Sequence, residues 1–232
     1  MEIKFYPENK TVKEVIPPPS VAKVPAWFKG VPNYQNGANS LIVENGGTNY
    51  SVKSCLPFID TFHTGYTFEL WCDVQVRQIN GNPVFTWTNT DRGMSPIADR
   101  VDANLPIHDG FLPFTLSWQS HWGIETPKGY SCLLTHPLNR TDLPFITTSG
   151  IMDTDKWGIW GNQPFAFKKD WEGILEAGTP VIQFIPFKRE SWQSKVLDDF
   201  EKSEWAHFEY MRKNSRFRGY YKNKYWNRKE YR

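Results

Sequence analysis

The fold of this chain is decided by residues 129–189, which read GYSCLLTHPLNRTDLPFITTSGIMDTDKWGIWGNQPFAFKKDWEGILEAGTPVIQFIPFKR. Two pieces of this stretch set its pattern. Residues 149–158 are an apolar strand end followed by two carboxylates and an aromatic residue, and residues 177–187 are a Gly-Thr-Pro turn that leads into a buried strand. Strand, acidic corner, crossing segment, turn and strand together predict a small all-β unit.

Alternating patterns outside this stretch predict further strands. Apolar and polar residues alternate over residues 67–77, and the Asn-Gly-Asn turn at 80–82 precedes a return strand at 83–87. This hairpin should bury one face and leave a polar face for water or a partner. Residues 88–112 are expected to form a long loop. The other predicted strands are 2–6, 114–118, 122–126, 130–135, 146–152 and 181–187.

The composition favours one β-rich core. The 232 residues include 11 Trp, 17 Pro and 16 Gly, which is typical of short strands joined by many turns. We predict a mainly antiparallel fold, a jelly-roll, β-sandwich or β-clip-like barrel, with a C-terminal helix and extended arms. The expected parts are an extended arm with an edge strand at 1–45, a core at 46–189, a helix at 190–213 and a basic, aromatic arm at 214–232.

The predicted N-terminal arm carries a proline run and an aromatic pair. Pro17–Pro19 favours an extended backbone. Trp27 and Phe28 follow shortly after and are expected to anchor the arm, either on the body of the same chain or on a neighbouring subunit. Docking on the same chain is the commoner arrangement.

Charge is distributed unevenly along the chain. Residues 212–232 contain nine basic residues and one acidic residue, a net charge of +8, so the rest of the chain carries −6 within the total of +2. Aromatic residues alternate with these cations, which suits docking on another subunit or, alternatively, binding of single-stranded nucleic acid. The residues expected to make this contact are Arg212, Arg216, Arg218, Tyr220, Tyr221, Lys222, Lys224, Tyr225, Trp226 and Arg228.

Several common protein classes are disfavoured by the sequence. No apolar run reaches about 18 residues, and the start has no signal-peptide pattern. We therefore expect a protein that acts inside a cell and does not contact a membrane. Cys55, Cys72 and Cys132 lie far apart, which favours buried free thiols over zinc or redox motifs. No nucleophile elbow or phosphate loop is present.

Asp153 and Asp155 are the first candidate site. They flank one residue, so on a strand both carboxylates would point to the same side. Such a pair could bind Mg²⁺ or act as a general base. Alternatively, the two side chains cap a turn and accept hydrogen bonds from backbone N–H groups.

Arg140 and three histidines are the remaining candidates. Arg140 could bind a phosphate or carboxylate ligand, or form a salt bridge with a nearby aspartate, Asp142 or Asp153. His108, His121 and His136 could complete a metal site with the aspartates. Their spacing does not match metal motifs, so a structural role is favoured and no metal is predicted.

Three motifs resemble an uncharacterised family found in tailed phages, notably marine ones, and in some bacteria. They are Pro-Leu-Asn-Arg at 137–140, Gly-Ile-Met-Asp-Thr-Asp at 150–155 and Gly-Thr-Pro-Val-Ile-Gln at 178–183. The Ile-Pro-Pro-Pro and Pro-Ala-Trp-Phe-Lys stretches near the start fit the same family. This resemblance covers most of the chain and implies a phage origin, but no known activity.

Residues 150–158 and 178–183 are also similar to the core of trimeric dUTPase and dCTP deaminase β-barrels. There, a Gly-(Val/Ile)-Ile-Asp-x-(Asp/Gly)-Tyr-x-Gly corner lines the nucleotide site, which implies that Asp153 activates water and Trp157 is a stacking platform. Two departures weaken the implied activity. The phosphate segment Pro-Arg-Ser-Gly would fall at 137–140, which lacks the Ser-Gly pair, and no Gly-rich phosphate-covering tail is present.

These observations predict a non-enzymatic phage assembly protein whose arms contact other copies of the chain or other virion proteins. It is expected in the host cytoplasm during infection or in the virion, without a cofactor. One alternative is a nucleotide-acting enzyme of dUTPase-like descent that uses Asp153, with Asp155 beside it and Mg²⁺ as cofactor. A second alternative is a single-stranded nucleic-acid binder that uses residues 212–232.

Overall fold

A computed structural model describes residues 1–33, 51–88, 93–99, 105–158, 161–196, 206 and 220–232. These residues are mainly strands, so the all-β class is confirmed. The strands are β1 Lys4–Pro7, β2 Ser20–Val21, β3 Tyr66–Glu69, β4 Val74–Ile79, β5 Asn82–Trp87, β6 Ile97–Asp99, β7 Leu116–Gln119, β8 Trp122–Glu125, β9 Tyr130–Thr135, β10 Phe145–Thr147, β11 Gly150–Met152, β12 Asn162–Phe167, β13 Gly173–Leu175 and β14 Pro180–Lys188. The helices are α1 Lys10–Val15, α2 Ala26–Gly30, α3 Leu56–Thr61 and α4 Tyr220–Lys224, with a 3-10 turn at Val52–Ser54.

The chain divides into two compact units. The first, which we call the β unit, comprises residues 1–30, 61–189 and 230–232. The second unit comprises residues 31–60 and 190–229. Strands β1 to β14 all belong to the β unit, and α4 belongs to the second unit.

Four antiparallel sheets form the β unit. Their strand orders are β11-β9-β14-β3-β2, β10-β12-β7-β6, β13-β4-β5 and β1-β8. Among the described strands no sheet closes on itself, so the barrel form of the prediction is not found. The jelly-roll form stays a prediction.

An aromatic cluster lies within the four-stranded sheet, and hydrogen bonds tie it to the five-stranded sheet. Trp118 on β7 stacks on Phe165 of β12, with ring centroids 3.7 Å apart, and meets the edge of Phe145 on β10. The Trp118 indole N–H donates to Thr147 Oγ1 at 3.1 Å, and that hydroxyl donates to the carbonyl of Val181 on β14 at 2.6 Å. The buried polar groups of Trp118 and Thr147 are therefore paired, and the second bond joins the four-stranded and five-stranded sheets.

The predicted strand at 67–77 is two strands. β3 ends at Glu69 and pairs within the five-stranded sheet, whereas β4 begins at Val74 in the three-stranded sheet. Between them, Leu70 exchanges backbone hydrogen bonds with the turn before β14, through Thr179 O and Gly178 N. The alternation continues through this corner, so the pattern contained no sign of the break.

The next hairpin was predicted correctly from the residues of its turn. β4 and β5 pair around Asn80 and Gly81, whose φ angles are 53° and 76°. Two consecutive positive φ values define the type I′ turn that an Asn-Gly pair favours. The predicted hairpin is confirmed, and residues 82, 84 and 86 lie on its exposed face.

Two other predicted segments are also divided. Residues 146–152 belong to β10 and β11, which lie in different sheets, and the crossing at 153–178 contains β12 and β13. The long loop predicted at 88–112 contains β6. In each case the strands have only three to six residues, which is too short for a clear period.

The first thirty residues are part of the β unit and not an extended arm. The edge strand is found, as β1 pairs with β8, but α1, β2 and α2 follow it. Val12 on α1 is fully buried, and the Trp122 indole N–H donates to the carbonyl of Ile16 at 3.1 Å. Phe28 is buried and meets the edge of Phe62 at 5.0 Å. The Trp27–Phe28 anchor therefore docks on its own chain. Residues 34–50 lie outside the described part.

The C-terminal predictions have mixed outcomes. Residues 191–196, where the predicted helix should begin, are not helical. The rest of that prediction lies outside the described residues, except that residue 206 is helical. At the end of the chain, Tyr231 meets the edge of the Tyr66 ring, and Tyr66 Oη donates to the carbonyl of Arg232 at 3.1 Å. The last residues of the predicted arm thus pack on the β unit. No helix in the described part of the chain is long and apolar enough to cross a membrane.

Candidate functional site

The acidic corner, residues 153–157, is a tight turn after the edge strand β11. The backbone N–H groups of Lys156 and Trp157 both donate to the carbonyl of Asp153 at 2.9 Å. Thr154 is buried beneath the turn, with its hydroxyl 2.6 Å from that of Thr126. The turn is thus fixed by its own backbone and by one buried hydroxyl pair, and it holds Asp153 and Asp155 beside each other.

Arg189, just after β14, lies between the two carboxylates. Its Nη1 donates to Asp153 Oδ1 at 3.2 Å, and its Nη2 donates to Asp155 Oδ2. Nη1 also donates to Ser131 Oγ at 2.8 Å and to the carbonyl of Tyr130 at 2.7 Å. One guanidinium therefore pairs with both aspartates and ties them to β9.

Backbone and hydroxyl donors add to this network, although Asp155 Oδ1 is buried without a hydrogen-bond partner. The Gly129 N–H donates to Asp155 Oδ2 at 2.8 Å, and the Ser131 hydroxyl donates to Asp153 Oδ1 at 2.7 Å. The Arg189 hydrogen bonds, aided by the Gly129 N–H, lower the pKa of Asp155 to about 2. The Asp155 side chain is only 2% exposed. The carboxylate is therefore ionised, buried and bonded, which makes it a poor general base at neutral pH.

Of the two alternatives for these aspartates, a contact of the turn-capping kind is observed at Asp155. The Gly129 N–H is the kind of backbone donor that the turn-capping alternative predicts. The main partner of the two carboxylates is the Arg189 guanidinium, which the sequence did not indicate. A divalent ion would have to displace the Arg189 guanidinium. Within the described residues, no three side chains of His, Cys, Asp or Glu come together in a way that could hold a metal.

Two apolar side chains flank this closed network and face solvent. Ile151 on β11 is 68% exposed, and Trp157 at the end of the turn is 64% exposed. Trp157, the proposed stacking platform, therefore lies on an open surface. Ile151 is directly paired with Leu133 of β9, which is paired with Ile185 of β14, so a row of aliphatic residues runs inward from the sheet edge.

Arg140 forms one of the two salt bridges predicted for it. Its Nε and Nη2 bind the Asp142 carboxylate in a forked pair at 2.8 to 3.2 Å, and the Trp27 indole N–H donates to the same carboxylate at 3.2 Å. Arg140 also lines a cleft of about 340 Å³ in the β unit. Asp153, Asp155 and Trp157 do not line that cleft, so the predicted ligand-binding residues are not brought together.

The histidines have structural partners. His136 Nε2 lies 3.0 Å from the carbonyl of Arg140, and its Nδ1 accepts from the Thr147 N–H at 3.3 Å. Burial lowers the pKa of His136. His121 bridges the carboxylate of Glu8 and the carbonyl of Ser95. With His108 they form no shared site in the described part of the chain. As predicted, Cys72 and Cys132 are buried free thiols, whereas Cys55 is free but exposed.

Part of the predicted basic, aromatic contact is described. Arg212, Arg216 and Arg218, and the side chain of Tyr220, lie outside the described residues. In the second unit, the Trp226 indole N–H donates to both carboxylate oxygens of Asp60, at 3.1 and 3.0 Å. Trp226 is therefore bound within its own chain. The other predicted contact residues described there are Tyr221, Lys222, Lys224, Tyr225 and Arg228, and all of them are exposed.

Comparison with known proteins gives a distant similarity only. No protein-family model and no curated protein matches the chain. Among solved structures, the dUTPase from phage phi11 of S. aureus is 13% identical at a TM-score of 0.26 and covers 56% of this chain and 99% of its own. The Staphylococcus bacteriophage 80alpha dUTPase is 15% identical at a TM-score of 0.24 and covers 56% and 98%. The distant similarity to dUTPases is thus found, but TM-scores this low support no argument about activity.

Proposed function

We propose that this chain is a non-enzymatic assembly protein that associates with further copies of itself, and that the surface around the acidic corner makes the contact. One observation carries the proposal. The carboxylates that could do chemistry are both paired with Arg189, while Ile151 and Trp157 beside them are 68% and 64% exposed.

The chemistry of the corner argues against catalysis. A general base at neutral pH needs a carboxylate that can reach a water molecule and has a pKa near the working pH. Asp155 is buried, and its pKa is about 2. Asp153 accepts hydrogen bonds from Arg189 and Ser131 through the same oxygen. Activation of water by Asp155 would require the network to open first.

The surface of the corner suits a protein contact. Interface centres are rich in Trp, Tyr and Arg and poor in unpaired charge. Trp157 offers the aromatic anchor, and Arg189 is already paired with Asp153 and Asp155. Ile151 is followed inward across the sheet by two half-buried aliphatic residues, Leu133 and Ile185.

A second copy of the chain is the proposed partner because this surface lies at a sheet edge. β11 pairs only with β9 among the described strands, so its other side is free to face another subunit. The arms, which the sequence suggested as contacts, have their anchors on their own chain. The origin in a phage, and a place in the host cytoplasm or the virion, belong to the same proposal and rest on the sequence resemblance.

Light scattering after size-exclusion chromatography tests this proposal. The wild-type chain should have the mass of an oligomer, and the double variant Ile151→Ser, Trp157→Ala should shift to the monomer with an unchanged far-UV spectrum. The matched control is Trp192→Ala, since Trp192 is 87% exposed in the second unit. It should keep the wild-type mass. A monomeric wild type at every concentration would refute the proposal.

The rival enzyme function is tested separately. Hydrolysis or deamination should be screened over all nucleotides with and without Mg²⁺. We expect no turnover. An activity that requires Mg²⁺ and disappears in Asp153→Asn would replace the assembly proposal with the dUTPase-like one.

A further inference from the structure

The segment from Tyr220 to Lys229, which we call the basic turn, is anchored at one side and exposed at the other. Helix α4 forms its first part. Trp226 donates to the Asp60 carboxylate, and Lys229 Nζ lies 3.2 Å from Asp60 Oδ2. Asp60 is largely buried, with 14% of its side chain exposed. The anchor uses one aromatic and one cation of the segment and fixes the position of the rest.

Two exposed tyrosines lie on one face of the basic turn. Tyr221 and Tyr225 are 47% and 41% exposed. The Tyr225 N–H donates to the carbonyl of Tyr221 at 3.0 Å, which is the helical bond between residues four apart. Side chains at this spacing are neighbours on a helix surface, so the two rings form a small aromatic platform.

Three cations of the same segment have no counter-charge in the described part of the chain. Lys222, Lys224 and Arg228 are exposed, and none forms an ion pair in the described part of the chain. Each therefore keeps its charge available to a ligand. The distribution contrasts with Lys229, which Asp60 neutralises.

We propose that the basic turn binds single-stranded nucleic acid, independently of the subunit contact at the acidic corner. Aromatic rings stack on unpaired bases and flanking cations neutralise the phosphates, which is the chemistry of single-strand binding without sequence preference. A protein partner fits less well, because protein interfaces are depleted in Lys. Two of the three unpaired cations in this segment are lysines, and the sequence from 220 to 229 contains no acidic residue.

Fluorescence anisotropy with labelled oligothymidylate and oligouridylate of about 16 nucleotides tests the proposal on the full chain. The wild type should bind both single strands more tightly than a duplex of the same length. Tyr221→Ala with Tyr225→Ala should weaken binding about tenfold or more, whereas the two Phe variants, which keep the rings, should bind like the wild type. Lys222→Gln with Lys224→Gln should also weaken binding and reduce the salt slope by about 0.7 for each cation removed.

Two control variants separate this site from general charge and aromatic effects. Lys128→Gln removes one exposed cation from the β unit, and Trp192→Ala removes one exposed aromatic outside the basic turn. Both should retain wild-type affinity. Equal binding by the wild type and the Tyr variants would overturn the proposal. So would equal affinity for duplex and single strands, or a change of oligomeric mass in the Tyr variants, which would identify a protein contact.

Discussion

The acidic corner and the basic turn differ in how their charges are used. At the corner, one guanidinium binds two carboxylates, and backbone and hydroxyl donors add to the arrangement. In the basic turn, only Lys229 is neutralised, and the three other cations face solvent. The comparison shows that a charged motif can stabilise the fold or remain available for binding. Which of the two applies depends on whether the fold places opposite charges beside it.

The largest effect is expected from Arg189→Met, which removes the cation that pairs with both carboxylates of the acidic corner. This variant keeps an apolar stem but leaves Asp155, which is 2% exposed, without its cation. An unpaired buried charge is strongly destabilising, so we expect a larger loss of stability than for any other substitution at the corner or in the basic turn, measured by urea unfolding. Arg140→Met is the matched control, because its partner Asp142 is 38% exposed and can be hydrated. Equal losses for the two variants would contradict the closed corner.

The corner should also give stability a dependence on pH. The pKa of Asp155 is lowered in the folded protein to about 2, from an ordinary value of 3.8. A lowered folded-state pKa contributes stability that is present above about pH 4 and is lost as the pH falls towards about 2. The urea concentration at the unfolding midpoint of the wild type should therefore decrease as the pH is lowered from about 4 to about 2.

Asp155→Asn tests the assignment of that dependence. The variant should be less stable than the wild type at neutral pH, and the difference should shrink as the pH falls towards about 2. Asp170→Asn, which makes the same change at an exposed position, is the control. A constant difference between Asp155→Asn and the wild type at every pH would show that the carboxylate charge is not responsible.

The anchor of the basic turn can be weakened with Trp226→Phe. An aromatic ring is kept, but the hydrogen bond to the Asp60 carboxylate is lost, and hydrogen bonds to charged groups contribute about 1.5 to 3 kcal/mol. We expect a loss of about 2 kcal/mol, read from the hydrogen exchange of residues 220–229. Trp192→Phe, at an indole that is 87% exposed, should change nothing measurable.

The open side of the basic turn should be the least sensitive to substitution. Lys222→Gln with Lys224→Gln should stay within about 0.5 kcal/mol of the wild type in urea unfolding, because exposed residues without partners contribute little to stability. A larger loss would mean that these cations are used within the fold. The contrast between the two regions would then disappear.

Features set by neighbouring residues could be predicted from the sequence. The hairpin at Asn80 and Gly81 is found because a two-residue turn with positive φ is written in two adjacent residues. The long strand β14 is found because its apolar run follows a clear turn signal. The salt bridge of Arg140 with Asp142 joins residues two apart. In all three cases the determining contact is local.

Features set by distant partners could not be predicted. Arg189 is 34 residues from Asp155 and reaches it because its backbone N–H pairs with Gly129 O, next to the start of β9. Asp60 is 166 residues from Trp226. The break between β3 and β4 depends on backbone bonds to the turn before β14. A single sequence contains no signal for such pairings, so the acidic motif looked more available for chemistry than it is.

The pairing of β1 with β8 has a consequence for how the protein is made. Lys4 and Glu125 are 121 residues apart in the chain, yet they face each other in the sheet and form an ion pair at 3.1 Å. At about 5 to 20 residues per second, a ribosome needs roughly 6 to 24 seconds to synthesise the intervening residues. During that interval β1 has no partner strand. The side chains that pack around Trp122 in the folded protein lack this packing partner. β1 is therefore synthesised well before the strand that it pairs with.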